Sequence, residues 1–308
     1  MNSTAPLRRP VNPAVVALVV ASILWGTTGT AASFLSDDVS PIAIGASTMA
    51  IGGVLLFAVA WRSSVTALRD RSALPWLLLG AVGVVVYPLA FYSGMSLAGV
   101  AVGNVVALGS GPVFAALFEF LWERQRLSVR GTVSMAIAVL GVVILGLVGH
   151  PQGGVGGGNV GAGVVLGLCA GMAYALYTYC SGRVIRLGHS GSAAMGATFG
   201  IGAIGLTPVL IVTGAPILGS ASNIAIAAYL AIGPMFIAYV LFGRGLGTLR
   251  SSAVTTITLL EPLVATLLAV VVVGERLTVL GWIAILVIFG GISVLVTARP
   301  SAKPSSRQ

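Results

Sequence analysis

Charge is what this 308-residue chain has least of: 7% of its residues are Asp, Glu, Lys or Arg, against roughly 25% in an average soluble domain. A soluble globule so poor in charge has no surface to show to water, and neither a disordered chain nor a coiled coil can be built from it. Two cysteines exclude a disulfide scaffold. Cys169 and Cys180 share one predicted helix, about 16 Å apart along its axis at 1.5 Å per residue, too far for a bond between them. Two histidines, His150 and His189 in separate loops, cannot make a metal cluster. No nucleophile, base and orienting acid can be brought together, so no catalytic residue, metal or cofactor is expected. Gly156, Gly158 and Gly161 satisfy G-x-G-x-x-G, but no strand precedes them and the surrounding segment is a glycine-rich linker, so nucleotide binding is not expected.

What is present is apolar. Hydrophobic residues make up 57% of the chain and glycine contributes 42 positions, a combination better tolerated in membrane helices than in soluble ones. A hydrocarbon core roughly 30 Å thick takes about 20 apolar residues per helix. Runs of that length occur at 13–33, 41–61, 74–96, 100–121, 128–148, 160–180, 191–213, 221–243, 250–273 and 277–298. The first follows Arg8 and Arg9 like an export signal, yet nine further spans follow it, so it is read as a transmembrane helix. The expected fold class is an all-α integral membrane protein of ten transmembrane helices.

Basic residues orient those helices. With the N-terminus in the cytoplasm, Arg8, Arg9, Arg62, Arg69, Arg71, Arg124, Arg126, Arg130, Arg183, Arg186, Arg244, Arg250, Arg299, Lys303 and Arg307 all fall on the cytoplasmic side. Only Arg276 falls outside. Losing one span would invert every later loop and destroy this pattern. The net charge of +9 is therefore an orientation signal rather than a nucleic-acid footprint. The expectation is a multi-pass membrane protein, monomeric, with both termini cytoplasmic, whose partners are the lipid bilayer and a small molecule.

A shift of 150 residues aligns Gly83 with Gly233, Pro112 with Pro262, Arg126-Leu127 with Arg276-Leu277, Val129 with Val279, Gly131 with Gly281, Gly141 with Gly291 and Leu145 with Leu295. The chain thus divides into a tail (1–12), a first five-helix repeat (13–148), a glycine-rich outer linker (149–159), a second repeat (160–298) and a tail (299–308). Five is odd, so the second repeat crosses the membrane upside down relative to the first. Inverted repeats can exchange conformations around a midplane site, which makes alternating-access transport the leading function.

The patterns LWGTTG at 24–29 and AYALYT at 173–178, the pair Glu261-Pro262, and GERLT at 274–278 before a glycine-bearing last helix resemble the EamA type of the drug/metabolite transporter superfamily. Within it the chain is most similar to YddG-type amino-acid exporters. The resemblance runs from residue 13 to 298 and implies a basket-like fold of two inverted five-helix repeats, helices 1–4 and 6–9 forming the core and helices 5 and 10 bracing it from the lipid side. It also implies export of amino acids, aromatic and other neutral ones included, with other amphipathic metabolites or drugs as the alternative within transport. A non-transporting scaffold is the alternative from a different class. The halves differ where Gln125 stands opposite Glu275 and Gly111 opposite Glu261.

Glu261 is the one acid placed deep in a span, where a charge costs about 2.5–3.5 kcal/mol. It either serves the transport cycle, by contacting a substrate amine or carrying a proton, or satisfies backbone groups freed by Pro262. Trp25, Thr28, Tyr87, Asn104, Ser110, Tyr174, Tyr177, Tyr239 and Thr258 join it as candidate substrate-binding residues, with Tyr92 and Tyr177 expected nearer the membrane surfaces. Gly163, Gly167 and Gly171, and Gly196 and Gly200, have the four-residue spacing of close helix packing within the chain. Arg244 reads as an orientation anchor. Pro112 and its repeat mate Pro262 are candidate gating hinges, since proline kinks a helix. Replacing either by alanine is expected to slow exchange between the open states more than it weakens substrate binding, as a comparison of counterflow rates with equilibrium binding would show; the reverse order rejects the hinge assignment.

Overall fold

The computed structural model describes residues 13–124, 159–248 and 260–297, together with 133, 136, 137, 140, 141, 144, 257 and 258. The fifth expected span therefore lies outside the described residues except for isolated positions, as do both tails, most of the linker and the first part of the ninth span. Every regular element among the described residues is helical. In chain order the helices are α1 (Pro13–Gly26), α2 (Thr28–Ala32), α3 (Pro41–Val59), α4 (Trp61–Arg69), α5 (Leu74–Ala98), α6 (Val100–Glu123), α7 (Val160–Arg186), α8 (Gly191–Thr213), α9 (Ala221–Leu230), α10 (Ala238–Thr248), α11 (Leu260–Leu268) and α12 (Val279–Thr297). A short 3-10 turn, Ala215–Gly219, precedes α9, and π-helical segments Ala231–Ile237 and Ala269–Val273 follow α9 and α11.

Among the described residues, seven stretches are long and apolar enough to cross a bilayer: Pro13–Ala32, Pro41–Val59, Leu74–Ala98, Val100–Glu123, Val160–Arg186, Gly191–Thr213 and Ala221–Gly245. Leu263–Val273 and Val279–Gly291 are apolar but shorter. Side-chain caps mark where several helices begin. The Ser40 hydroxyl accepts from the Ala43 amide at 3.2 Å, Ser190 from Ala193 at 3.1 Å and Ser220 from Asn223 at 3.1 Å, while the Asn159 carbonyl oxygen accepts from Ala162 at 3.1 Å at the start of α7.

Three local departures correct the sequence reading. The first span is not continuous but breaks at Thr27, whose amide is shared between the carbonyls of Ile23 and Leu24 at 3.2 Å each and whose hydroxyl donates to Leu24 at 2.7 Å. A threonine that bonds back to its own helix weakens the regular ladder there, and the Tyr229 hydroxyl 2.5 Å away holds the break in place. Residues 62–69, expected as loop, form α4, an amphipathic helix that buries Ser64 and Ala67 against α8 and exposes Trp61 and Arg62. The eighth and ninth spans each contain a π-helical stretch, and Pro234 lies in the first of them, where a missing N–H forces the ladder to re-register.

The most extensive helix contacts pair α5 with α7, α3 with α8, α6 with α7 and α1 with α10. Each joins the first half to the second, so the halves interleave. Lipid tails are as apolar as the helices, and packing in a bilayer therefore depends on how closely backbones approach. At Gly83 a Cβ would stand 2.7 Å from the Ala173 carbonyl oxygen, so only glycine allows α5 to lie this near α7. Gly163, Gly167 and Gly171 turn the same α7 stripe toward Ala98 on α5 and toward Val106 and Ser110 on α6. Gly196 and Gly200 meet Ser64 and Phe57, which is packing within the chain. On α12, Val279, Leu280, Ile283 and Leu286 are exposed while Ala284 and Ile285 are buried.

Polar ties bind the ends of the halves. Asp70, before α5, accepts from the Ser72 hydroxyl at 2.6 Å and the Ser72 amide at 2.8 Å and lies 2.8 Å from His189, after α7. The Ser72 hydroxyl, and after it the His189 ring, hold this carboxyl well below the usual carboxylate range. Glu123, at the end of α6, takes Arg186 at 2.7 Å, the Tyr179 hydroxyl at 3.0 Å and Arg183 at 3.5 Å. At the opposite end of α6, the carboxylate of Glu275 accepts from the amides of Val100 at 2.5 Å and Ala101 at 3.0 Å. Burial raises the Glu275 carboxyl above its ordinary range, and the two amide bonds oppose that rise. Glu275→Ala would strand two amides at a buried helix start and is expected to cost about 2 kcal/mol, with Glu275→Gln intermediate. Thermal unfolding of the purified protein measures this; an unchanged melting temperature in the alanine variant rejects it.

Candidate functional site

Where the two halves interleave they enclose a hollow. It is lined by Trp25 of α1, Thr28 of α2, Thr48 and Met49 of α3, Tyr87, Phe91 and Tyr92 of α5, Leu108 of α6, Tyr174 of α7, Pro234 and Met235 of the first π-helical segment, Tyr239 of α10 and Glu261 of α11. The cavity between these side chains measures about 40 Å³. That admits a few waters, so the helices must separate before a metabolite can enter. A mostly apolar concavity with a few convergent polar groups is the usual form of a small-molecule site.

Local packing explains how the candidates meet. At Gly26 a Cβ would stand 2.7 Å from the Val264 side chain and 3.0 Å from the Glu261 carbonyl oxygen, so the glycine beside Trp25 lets α1 lie against α11 and brings the indole to the level of the carboxylate. The Trp25 ring is wedged edge-on between Tyr239 and Phe242, with centroids 5.1 and 5.3 Å away. Across the hollow Tyr87 stacks on Phe91 at 5.3 Å and lies 6.0 Å from Tyr174. Such aromatic contacts fix ring orientation beyond what burial alone does.

Of the ten candidate substrate-binding residues, the structure gathers Trp25, Thr28, Tyr87, Tyr174, Tyr239 and Glu261 around the hollow. Four do not line it. Tyr177, expected near a membrane surface, is 1% exposed in the protein core; its hydroxyl lies 2.6 Å from that of Tyr239, and Phe199 packs against both rings. Ser110 donates to its own helix at Ala107 (3.2 Å) and faces α7 where Gly171 leaves room. Asn104 is fully buried on α6, one turn before Leu108, with no protein partner for its amide among the described residues. Thr258 is half-buried ahead of α11. Tyr92, also expected near a surface, lines the hollow. The hinge candidates lie within α6 (Pro112) and near the start of α11 (Pro262), whereas the π-helical distortions fall at 231–237 and 269–273.

The sequence reading missed Thr48, Met49, Phe91, Leu108, Pro234 and Met235. Pro234 carried a signal, a proline inside a span. The others are ordinary residues of apolar helices, and only their neighbours place them on the hollow.

Glu261 is the one ionisable carboxylate of the lining. The three ion pairs among the described residues belong to Glu123 and Asp70 at helix ends, and none involves Glu261. A carboxylate among aromatic rings, at the seam of two interleaved halves, can accept hydrogen bonds from a charged or neutral donor brought in by a ligand.

These features define a multi-pass helical membrane protein whose two halves share one hollow. The chain belongs to the EamA-like transporter family, which matches it twice, at residues 12–147 and 161–297. It is 30% identical over 289 residues to the uncharacterized transporter YwfM of Bacillus subtilis (strain 168), covering 93% of this chain and 94% of that protein. It is also 30% identical over 172 residues, 54% of each chain, to an uncharacterized transporter of Clostridium kluyveri. A solved crystal structure at 24% identity superposes with a TM-score of 0.64 over 91% of this chain and 95% of the other, a likeness of fold.

The Tyr177 and Tyr239 hydroxyls are each other's partners, so Tyr177→Phe and Tyr239→Phe should each destabilise the protein by about 0.6 kcal/mol, and the double variant by no more than either single one. Denaturant unfolding of the four proteins measures the coupling; additive losses reject it.

Proposed function

We propose that this protein is a secondary transporter that exports amino acids or related small amine-bearing metabolites by alternating access, acting as a monomer in a bacterial inner membrane with both termini in the cytoplasm. The observation that carries the reading is Glu261, set in an aromatic-lined hollow to which both halves contribute side chains. A carboxylate in that position suits a substrate amine, and the rings suit an apolar side chain. The narrowness of the hollow fits a carrier that closes around its cargo and opens on alternate sides, because a site shared between inverted halves widens when they rock apart. The distribution of basic residues supports the orientation. Phosphorylated metabolites fit poorly, since no basic side chain among the described residues lines the hollow to pair with phosphate.

The aromatic lining also favours a second reading, export of larger amphipathic metabolites or drugs, and one assay separates the two. Proteoliposomes containing only this protein should show counterflow of radiolabelled amino acids from a panel that includes aromatic ones. Glu261→Gln should lower that rate by at least about tenfold, the loss expected when one charge-assisted hydrogen bond is removed. Counterflow of amphipathic cargo without any amino acid favours the second reading. Wild-type rates and wild-type pH dependence in Glu261→Gln reject the role given to the carboxylate.

A further inference from the structure

Resting on the transport reading above, we infer that the hollow selects a substrate whose buried head carries a net positive charge, so that amines and carboxyl-masked amino-acid derivatives are preferred over the free zwitterion. An amino acid brings two charged groups to the midplane, and the lining offers a counter-charge to only one. Glu261 can pair with an ammonium, while no lysine, arginine or histidine among the described residues lines the hollow to receive a carboxylate.

The other donors of the lining are neutral: the hydroxyls of Thr28, Tyr87, Tyr92 and Tyr174 can offer hydrogen bonds but no counter-charge. The Thr48 hydroxyl donates to the Ile44 carbonyl oxygen of its own helix at 2.7 Å. The Tyr239 hydroxyl shares its hydrogen bond with Tyr177 at 2.6 Å. The Trp25 indole N–H, buried with no hydrogen-bond partner among the described residues, is likewise neutral, and Met49, Phe91, Leu108, Pro234 and Met235 have no side-chain donor to offer. A substrate carboxylate would lose its water, find only neutral donors and sit beside a second carboxylate in a medium of low dielectric, where like charges repel strongly.

A cation meets the opposite situation. Its charge is matched by Glu261, and the rings of Trp25, Tyr87, Tyr174 and Tyr239 surround the same space, an arrangement that attracts positive charge through the negative faces of the π systems. The ring contacts among them hold these side chains in place before any ligand arrives, so little ordering is needed on binding.

Phenethylamine and phenylalanine share ring and amine and differ by one carboxylate. Binding of radiolabelled phenethylamine to the purified protein, followed by scintillation proximity at neutral pH, should be displaced by unlabelled phenethylamine at a concentration at least about tenfold lower than by phenylalanine. Glu261→Gln, confirmed monodisperse by size exclusion, should abolish that preference; if the variant does not fold, the wild-type comparison decides alone. Equal or tighter competition by phenylalanine overturns the inference and leaves the transport reading intact. Absence of phenethylamine binding also overturns it, and amino-acid counterflow then judges the transport reading separately. A preference that persists unchanged in Glu261→Gln overturns the assignment to this carboxylate.

Discussion

Close approach of α5 to α7 is the constraint on which the rest of the molecule depends. In a bilayer no hydrophobic gain rewards helices for meeting, so contact has to come from backbones near enough for dense van der Waals packing. Gly83 on α5 and Gly163 on α7 supply that nearness between one helix of each half. The same two helices carry Tyr87, Phe91, Tyr92 and Tyr174 into the hollow. A single methyl group at Gly83 would push the Ala173 backbone away and with it the wall of the site. Packing and function are therefore one problem in this fold.

Charge is distributed to serve both. At the helix ends, carboxylates tie the halves together: Glu275 caps the start of α6, Glu123 gathers Arg183, Arg186 and Tyr179 at its finish, and Asp70 reaches His189. Each satisfies donors that would otherwise be stranded near the membrane boundary. Glu261 differs because no basic group among the described residues pairs with it. A carboxylate kept in a membrane interior without a cation is costly, and such a cost is most readily understood where the missing partner arrives with the cargo.

Much of this was legible from composition and order alone. The glycine spacings that marked close packing face neighbouring helices within the chain, because a bare Cα can be read from sequence and has one common use in a membrane helix. Glu261 stood out for a similar reason, a charge in a long apolar run. Asn104, Ser110, Tyr177 and Thr258 were picked by the same reasoning and do not line the hollow. A polar side chain in a span must be satisfied somewhere, and sequence does not say whether its partner is a ligand, its own helix or a neighbour. Ser110 bonds its own helix, and Tyr177 lies beside Tyr239.

The sequence by itself determined that the chain is helical and spans a membrane, that its halves are inverted copies, and that one carboxylate lies deep within a span. These follow from hydrophobic length, repeat spacing and charge placement, all of which are properties of the chain in order. Only the tertiary structure decided which rings face that carboxylate, that Thr48 and Met49 join them, that the first span breaks at Thr27 and that the eighth turns π-helical at Pro234. Most of those outcomes depend on how closely the helices approach and at what rotation, which is set by contacts between residues far apart in the chain.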